Sequence, residues 1–314
     1  MCNNLQLDVS DEESGLRLDV LLRRRISWRS RNNLQKMIES GGIYVNKKDR
    51  KPSFKVRKGM VVSTLIKDPS TFIYENDYKI MPDVLYEDDN VLAINKPPFL
   101  ACTPTSRHFK DNLVSLLRSK YKSNPDPLQP VHRLDRETSG VVLVAKTIYL
   151  RKLLGALFEN RNVIKKYLAI VSGVPEHNSG IIDVPIGNSV KSNVMIKKET
   201  GSGRNAITEY RVIKIIKKKN LSLISVKPLT GRAHQIRVHM AYLGCPILGD
   251  KIYGANEEIF LESLNGEVSK MHMNKLAMNR HALHARSIEF KHPVNGEVIF
   301  IKAPVPVDFR NMLT

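Results

Sequence analysis

His132-Arg133-Leu134-Asp135-Arg136-Glu137-Thr138-Ser139-Gly140 precedes the apolar run Val141-Val142-Leu143-Val144-Ala145. A β-branched run bounded by Gly140 on one side and Lys146-Thr147 on the other reads as a buried strand. The residues before it then form a loop that delivers side chains to the edge of a sheet. Asp135 lies in that loop between Arg133 and Arg136, and flanking cations favour an ionised carboxylate. Such a carboxylate can act as a general base or as a nucleophile. A lone loop aspartate more often closes a turn or caps a helix, so the rest of the chain has to decide.

Composition narrows the choice. The chain has 314 residues, 42% of them hydrophobic, enough for one catalytic domain with a proper core and a small accessory domain. That content excludes disorder as a class. A net charge of +19 and a pI near 9.8 favour a polyanionic partner, with nucleic acid the first candidate. No apolar run approaches the ~18 residues that span a bilayer, and Met1-Cys2-Asn3-Asn4-Leu5 lacks a signal-peptide pattern. Cys2, Cys102 and Cys245 are too few and too scattered for a disulfide frame. The expectation is a cytoplasmic protein with no membrane association and no obligate protein partner. His132, His234 and His239 lack the ligand spacing of a zinc site, and no Gly-rich loop ends in Lys-Ser/Thr. Neither a metal nor a cofactor is expected.

Residues 1–14, with alternating Leu5, Leu7 and Val9, read as an edge strand or a loose lead-in. Residues 15–66 read as a compact basic domain. Leu18, Leu21, Leu22 and Ile26 mark one helical stripe, and Leu34, Met37 and Ile38 mark a second helix. Ser30 is its candidate cap and Gly41-Gly42 its stop. Short strands follow at 43–46 and 61–65. Between Arg23 and Lys58 thirteen Lys and Arg face only Glu39 and Asp49. One-sided charge over a small domain favours phosphate contact, because each neutralised phosphate releases counterions. Arg23, Arg24, Arg31, Lys36 and Lys47 are the candidate phosphate contacts there. A linker is expected over 67–82.

The larger domain, 83–314, alternates hairpins with short helices. Strands are expected at 84–87, 91–96, 141–145, 163–171, 206–216, 221–226 and in a final hairpin turning at Asn295-Gly296. Helices are expected at 112–121, 150–158 and from Gln235 to Tyr242, while the polar stretch 256–279 reads as a variable loop. Together these predict an α+β protein: a mainly antiparallel mixed sheet with a small N-terminal α/β domain.

The central string His-Arg-Leu-Asp-x-x-Thr-Ser-Gly resembles, without a mismatch, the signature of the RluA family of RNA pseudouridine synthases. Lys166-Tyr167-Leu168-Ala169 is similar to that family's tyrosine strand, and Leu229-Thr230-Gly231-Arg232-Ala233-His234-Gln235-Ile236-Arg237-Val238-His239 to its arginine motif. The family's first motif is matched by Asn95-Lys96-Pro97, although Pro98-Phe99 and Thr103-Pro104 depart from what usually follows. Arg17-Leu18-Asp19, Ser30-Arg31, Val45-Asn46 and Gly59 resemble an S-four-type RNA-binding domain. The likeness runs from about Gly15 to about Asp308.

The resemblance implies a cofactor-free isomerase that converts uridine to pseudouridine in structured RNA. Large-subunit ribosomal RNA is the first substrate class and transfer RNA the alternative. Asp135 is the expected nucleophile or base, whether by attack on uracil C6, attack on ribose C1′, or elimination. Arg232 is expected to hold it by a charge-assisted pair. Tyr167 would stack on the uracil and move a proton at C5. Arg133 would fill the place of the flipped base or grip a phosphate. Lys96 reads as a structural or phosphate-facing cation. The rival readings are a non-catalytic RNA-binding or ribosome-assembly factor and, last, an aspartate-dependent nuclease.

Overall fold

The Val141–Ala145 run lies within a strand, Ser139–Ala145, in which every residue is buried. The computed structural model describes residues 4–26, 31–67, 81–105, 108, 111–124, 126, 128–189, 192, 194, 196–254, 257–264 and 268–314. Two compact units make up the chain, one of residues 1–79 with 103–115, the other of 80–102 with 116–314.

The smaller unit holds β1 (Asn4–Asp8), α1 (Leu18–Arg25), α2 (Arg31–Glu39), β2 (Ile43–Val45), β3 (Lys48–Asp49) and β4 (Val61–Lys67). Its strands form one antiparallel sheet in the order β1-β4-β2-β3, so the N-terminal stretch supplies an edge strand. Leu18, Leu21, Leu22 and Ile26 all turn inward and pack with Leu34, Ile38, Ile43, Val45, Val56 and Val62. Asn46 and Lys47 join β2 to β3 with φ of 49° and 63°, the left-handed pair of a type I′ hairpin turn. Ser30 and residues 68–80, which hold most of the expected linker, lie outside the described residues.

Asp19 is fully buried at the start of α1. Arg17 and Arg31 each donate to it through two nitrogens, Arg31 at 3.0 and 2.8 Å, and Gln35 donates at 2.7 Å. Burial alone would raise its carboxyl, but these donors hold it well below the ordinary range. Arg31, expected to face RNA, is therefore tied to a buried acid.

The remaining elements are β5 (Val84–Glu87), β6 (Val91–Lys96), α3 (Leu113–Lys120), β7 (Gln129–Pro130), β8 (Ser139–Ala145), α4 (Ile148–Glu159), β9 (Val163–Ser172), β10 (Ser179–Asp183), β11 (Ile186–Asn188), β12 (Lys198–Thr200), β13 (Ile207–Ile216), β14 (Leu221–Pro228), α5 (Gln235–Tyr242), α6 (Glu257–Leu264), α7 (Lys270–Leu276), β15 (Leu283–Lys291), β16 (Val298–Lys302) and α8 (Val307–Leu313). The main sheet runs β10-β13-β14-β9-β15-β8-β6-β5, with β16 beside β15 and β7 beside β8. Among the described strands only β8 and β15 pair in parallel, His284 beside Ser139 and Ala285 beside Gly140. The mainly antiparallel mixed sheet of an α+β fold is thus present. The segment 256–279, expected to be a loop, instead carries α6 and α7. Ile259, Leu276 and Met278 are buried there, and burial of these few apolar side chains offsets a polar sequence that periodicity alone reads as loop.

The parallel crossing explains why the central motif ends in glycine. Gly140 has φ +111°, and a Cβ at this position would lie 2.2 Å from the carbonyl oxygen of Ala285. Gly155, in the middle of α4, has nothing within 4 Å of its Cβ position. Gly140→Ala should cost roughly 3 kcal/mol or more through backbone strain and a backbone clash. Gly155→Ala should gain up to about 1 kcal/mol from helix propensity. Urea unfolding of the two variants checks the pair; equal effects would contradict the crossing geometry.

Candidate active site

β8 begins where the motif loop ends, and nearly every side chain of that loop is anchored. His132 Nε2 accepts the Leu143 amide at 3.1 Å, and its ring stacks on Phe158 at 4.8 Å. Leu134 is buried, its amide directed at Cys102 Sγ at 3.3 Å. Glu137 takes Lys251 at 2.7 Å and the His281 amide at 3.1 Å. Thr138 Oγ1 meets His281 Nε2 at 2.7 Å, and Ser139 Oγ meets His284 Nδ1 at 2.9 Å. Lys96 is fully buried and donates to the carbonyls of Pro97, Leu100 and Arg136 at 2.7, 2.9 and 3.1 Å. Burial pulls its pKa down to about 7. It is a structural cation that pins the loop from behind.

Asp135 is held differently. Arg237, from the first turn of α5, donates Nη1 to Asp135 Oδ2 at 2.9 Å. Its Nε and Nη2 grip Asp250 at 2.7 and 2.9 Å. Asp250 is fully buried and also accepts the amides of Ile252 and Tyr253. One planar guanidinium thus bridges two carboxylates, a task its fork geometry suits. Burial on its own would raise the Asp135 carboxyl. The Arg237 charge, with smaller contributions from His234 and His281, outweighs it and lowers the pKa from 3.8 to about 2. Asp135 Oδ1 makes no hydrogen bond among the described residues, and the side chain remains 27% exposed.

The exposed side of Asp135 opens on a cavity of about 1030 Å³, lined by Arg133, Arg161, Lys165, Tyr167, Lys227, Arg232 and His234, among others. This is at the upper end of small-molecule sites, ~300–1,000 Å³. Tyr167 sits on β9 beside Val226 and Ala285, and burial, reinforced by the Asp135 charge, keeps its phenol neutral. Arg133 is exposed at the wall and has no hydrogen bond or ion pair among the described residues.

A family profile described as RNA pseudouridylate synthase matches residues 90–242, and one described as S4 domain matches residues 16–62. The uncharacterized RNA pseudouridine synthase YlyB of Bacillus subtilis is 31% identical over 99% of this chain and 97% of its own length. The chain belongs to the RluA family of RNA pseudouridine synthases. The ribosomal large subunit pseudouridine synthase D of Xanthomonas campestris is 33% identical over 98% of this chain and 91% of its own. Among solved structures, human RNA pseudouridylate synthase domain containing 4 superposes with a TM-score of 0.57 at 29% identity. It covers 73% of this chain and 91% of that one.

In this synthase the expected partner of Asp135 is corrected. Arg232 donates Nε to the carbonyl of Asn205 at 3.0 Å and lines the cavity half-buried. It precedes α5, and the Arg232 amide bonded to Gln235 Oε1 at 2.9 Å fixes a turn that directs its side chain outward. Nor are Arg133 and Arg136 what holds Asp135 ionised. Both are exposed, and Arg136 lies over the Phe99 ring at 5.5 Å. Arg237, in the same motif, does both jobs. Its sequence signal was a charge between Ile236 and Val238 at a helix start, a weak one without knowledge that both faces of α5 are buried.

Four histidines of the synthase are held neutral. Burial is the first cause in each, lowering His132 to about 3 and His234, His281 and His284 to about 4, from an ordinary 6.5. The unfolded chain protonates them below pH 6.5 while the folded one does not, so the synthase loses stability as pH falls from 6.5 toward 4. By pH 5 each should cost on the order of 1 kcal/mol. Urea midpoints at pH 7.5, 6 and 5 should fall in that order; a flat series would contradict the neutral burial.

Proposed function

We propose that Asp135 opens the C1′–N1 bond of a flipped uridine in large-subunit ribosomal RNA. The observation that carries this reading is an ionised carboxylate with one oxygen fixed by Arg237 at 2.9 Å and the other free in the cavity. Attack on C1′, attack on C6 and proton removal in an elimination all start from that species. In each, the C1′–N1 electron pair passes to the uracil and the ring turns. C5 then bonds to C1′, the C5 proton leaves and N1 acquires one, so no atom is gained or lost. Tyr167 faces the same space, where its ring stacks on the base and its neutral hydroxyl relays the C5 proton.

Extrahelical uridine costs a few kcal/mol, and Arg133 at the cavity wall fills the vacated stack or grips a phosphate. Arg232, half-buried at the cavity wall, serves the RNA backbone in this reading. In the small unit Arg23, Arg24, Lys36 and Lys47 are exposed and take phosphates, while Arg31 is committed to Asp19. The relatives named for the large ribosomal subunit support that RNA as substrate, and a cytoplasmic setting accords with it.

Tritium release from RNA labelled at uridine C5 tests the reading, using large-subunit ribosomal and bulk transfer RNA from cells lacking the gene. Release from ribosomal RNA is expected. Asp135→Asn should lower it by ~10²–10⁴-fold or more. Arg237→Lys, a point charge unable to span both carboxylates, should lower kcat about 100-fold, whereas Arg232→Ala should act mainly on KM. Release from transfer RNA alone would reassign the substrate. No release from either would favour a non-catalytic binding factor.

A further inference from the structure

The roles above leave His234 unused, although it lines the cavity beside Asp135. It heads α5 with φ +58°, a sparsely populated backbone state for a residue with a side chain, of the kind that concentrates at functional sites. Its ring is held from one side only. Nδ1 lies 2.8 Å from the Tyr253 hydroxyl, and the two rings meet edge-on at 5.7 Å. Nε2 makes no hydrogen bond among the described residues. It points toward Asp135 Oδ2, 3.9 Å away, too far for a direct bond.

The Tyr253 hydroxyl favours one tautomer of this ring over the other. That oxygen accepts the Lys198 amide at 2.9 Å, and among the described residues its own proton has one acceptor within reach, His234 Nδ1. With Nδ1 accepting the Tyr253 proton, the neutral ring carries its own proton at Nε2. Burial and then the neighbouring Arg237 charge keep the ring neutral at pH 7, and the Arg237 guanidinium over the Tyr253 ring at 5.0 Å fixes the arrangement further. What results is a preorganised N–H donor, directed into the cavity next to the reactive carboxylate.

We propose that His234 is a further catalytic residue, a neutral Nε2–H donor to a carbonyl oxygen of the departing uracil, with Tyr253 as the positioning residue that sets its tautomer. The inference rests on the reading of this cavity as the uridine site. When the C1′–N1 pair passes to the ring, negative charge spreads onto the uracil carbonyl oxygens. A fixed N–H donor beside them stabilises that charge and keeps its proton throughout, so proton balance is unchanged. A neutral imidazole suits this task because it does not quench Asp135 by forming a full ion pair with it.

Two variants separate donation from a packing role. The amide of glutamine reaches about as far as imidazole Nε2, whereas that of asparagine reaches only as far as Nδ1 and keeps the Tyr253 contact. Asparagine also tolerates the left-handed backbone. In the tritium-release assay, His234→Asn should lower kcat roughly 100-fold with little change in KM, the loss typical of removing one oxyanion donor. His234→Gln should recover most of it. Two-bond ¹H–¹⁵N spectra of the histidine-labelled, RNA-free protein should show His234 neutral and protonated at Nε2 at pH 7, and a tautomer mixture in Tyr253→Phe.

An Nδ1-protonated or charged ring in the wild type overturns the proposal. So does an asparagine variant as active as, or more active than, the glutamine variant. If wild type releases no tritium, the site reading fails and takes the donor role with it, while the spectra still report the tautomer independently.

Discussion

Arg237 lies between two carboxylates in a site largely shut off from water, and each of the three charges depends on the other two. Moving one ion into such surroundings costs several kcal/mol unless it is paired and fully hydrogen-bonded. The two acids are not equivalent. Asp250 accepts two bonds from the guanidinium and two from backbone amides, which leaves it saturated. Asp135 accepts one, through one oxygen. Asp135, the carboxylate proposed to react, is the less satisfied member of the pair, kept ionised by a cation whose orientation the other member sets. Buried ion pairs are poor sources of net stability; under the proposed function the charge arrangement preorganises the reacting group.

The motif loop follows the same division. His132, Leu134, Glu137, Thr138, Ser139 and Gly140 face inward and fix the loop to β8, β15 and the turn near His281, and Lys96 ties it down from beneath. Asp135 and Arg133 are left facing the cavity. A loop with so many anchors can hold one carboxylate within a few tenths of an ångström without being part of a regular element, which a site of this kind needs. The neutral histidines belong to this framework, since desolvation of a charged ring at those buried positions outweighs what nearby carboxylates return.

Much of the fold was legible in the sequence because it rests on local pattern. The buried strand after the motif, α5 from Gln235 to Tyr242, the stripes of α1 and α2, and the hairpin around Asn295-Gly296 follow from periodicity and turn chemistry, whereas the turn at Asn46-Lys47 begins inside an expected strand. Helices α6 and α7 did not, because their few apolar residues acquire meaning only when docked. Within the site, Asp135 and Tyr167 were picked out by motif resemblance and lie on one cavity. Arg232 was chosen over Arg237 because, of two arginines five positions apart, only the turn and the first turn of α5 decide which one points inward.

By itself the sequence determined the family and the strongly basic character, and it singled out Asp135 as the candidate at the centre, since each is written in contiguous residues or in composition. Tertiary structure alone decided the rest: that Arg237 spans Asp135 and Asp250, that Arg31 is drawn onto Asp19, that Gly140 must lack a side chain, and that His234 meets the Tyr253 hydroxyl beside Asp135. Each of these depends on groups brought together from distant parts of the chain, and hydrogen-bond direction and burial at such meetings have no signature in any one stretch of residues.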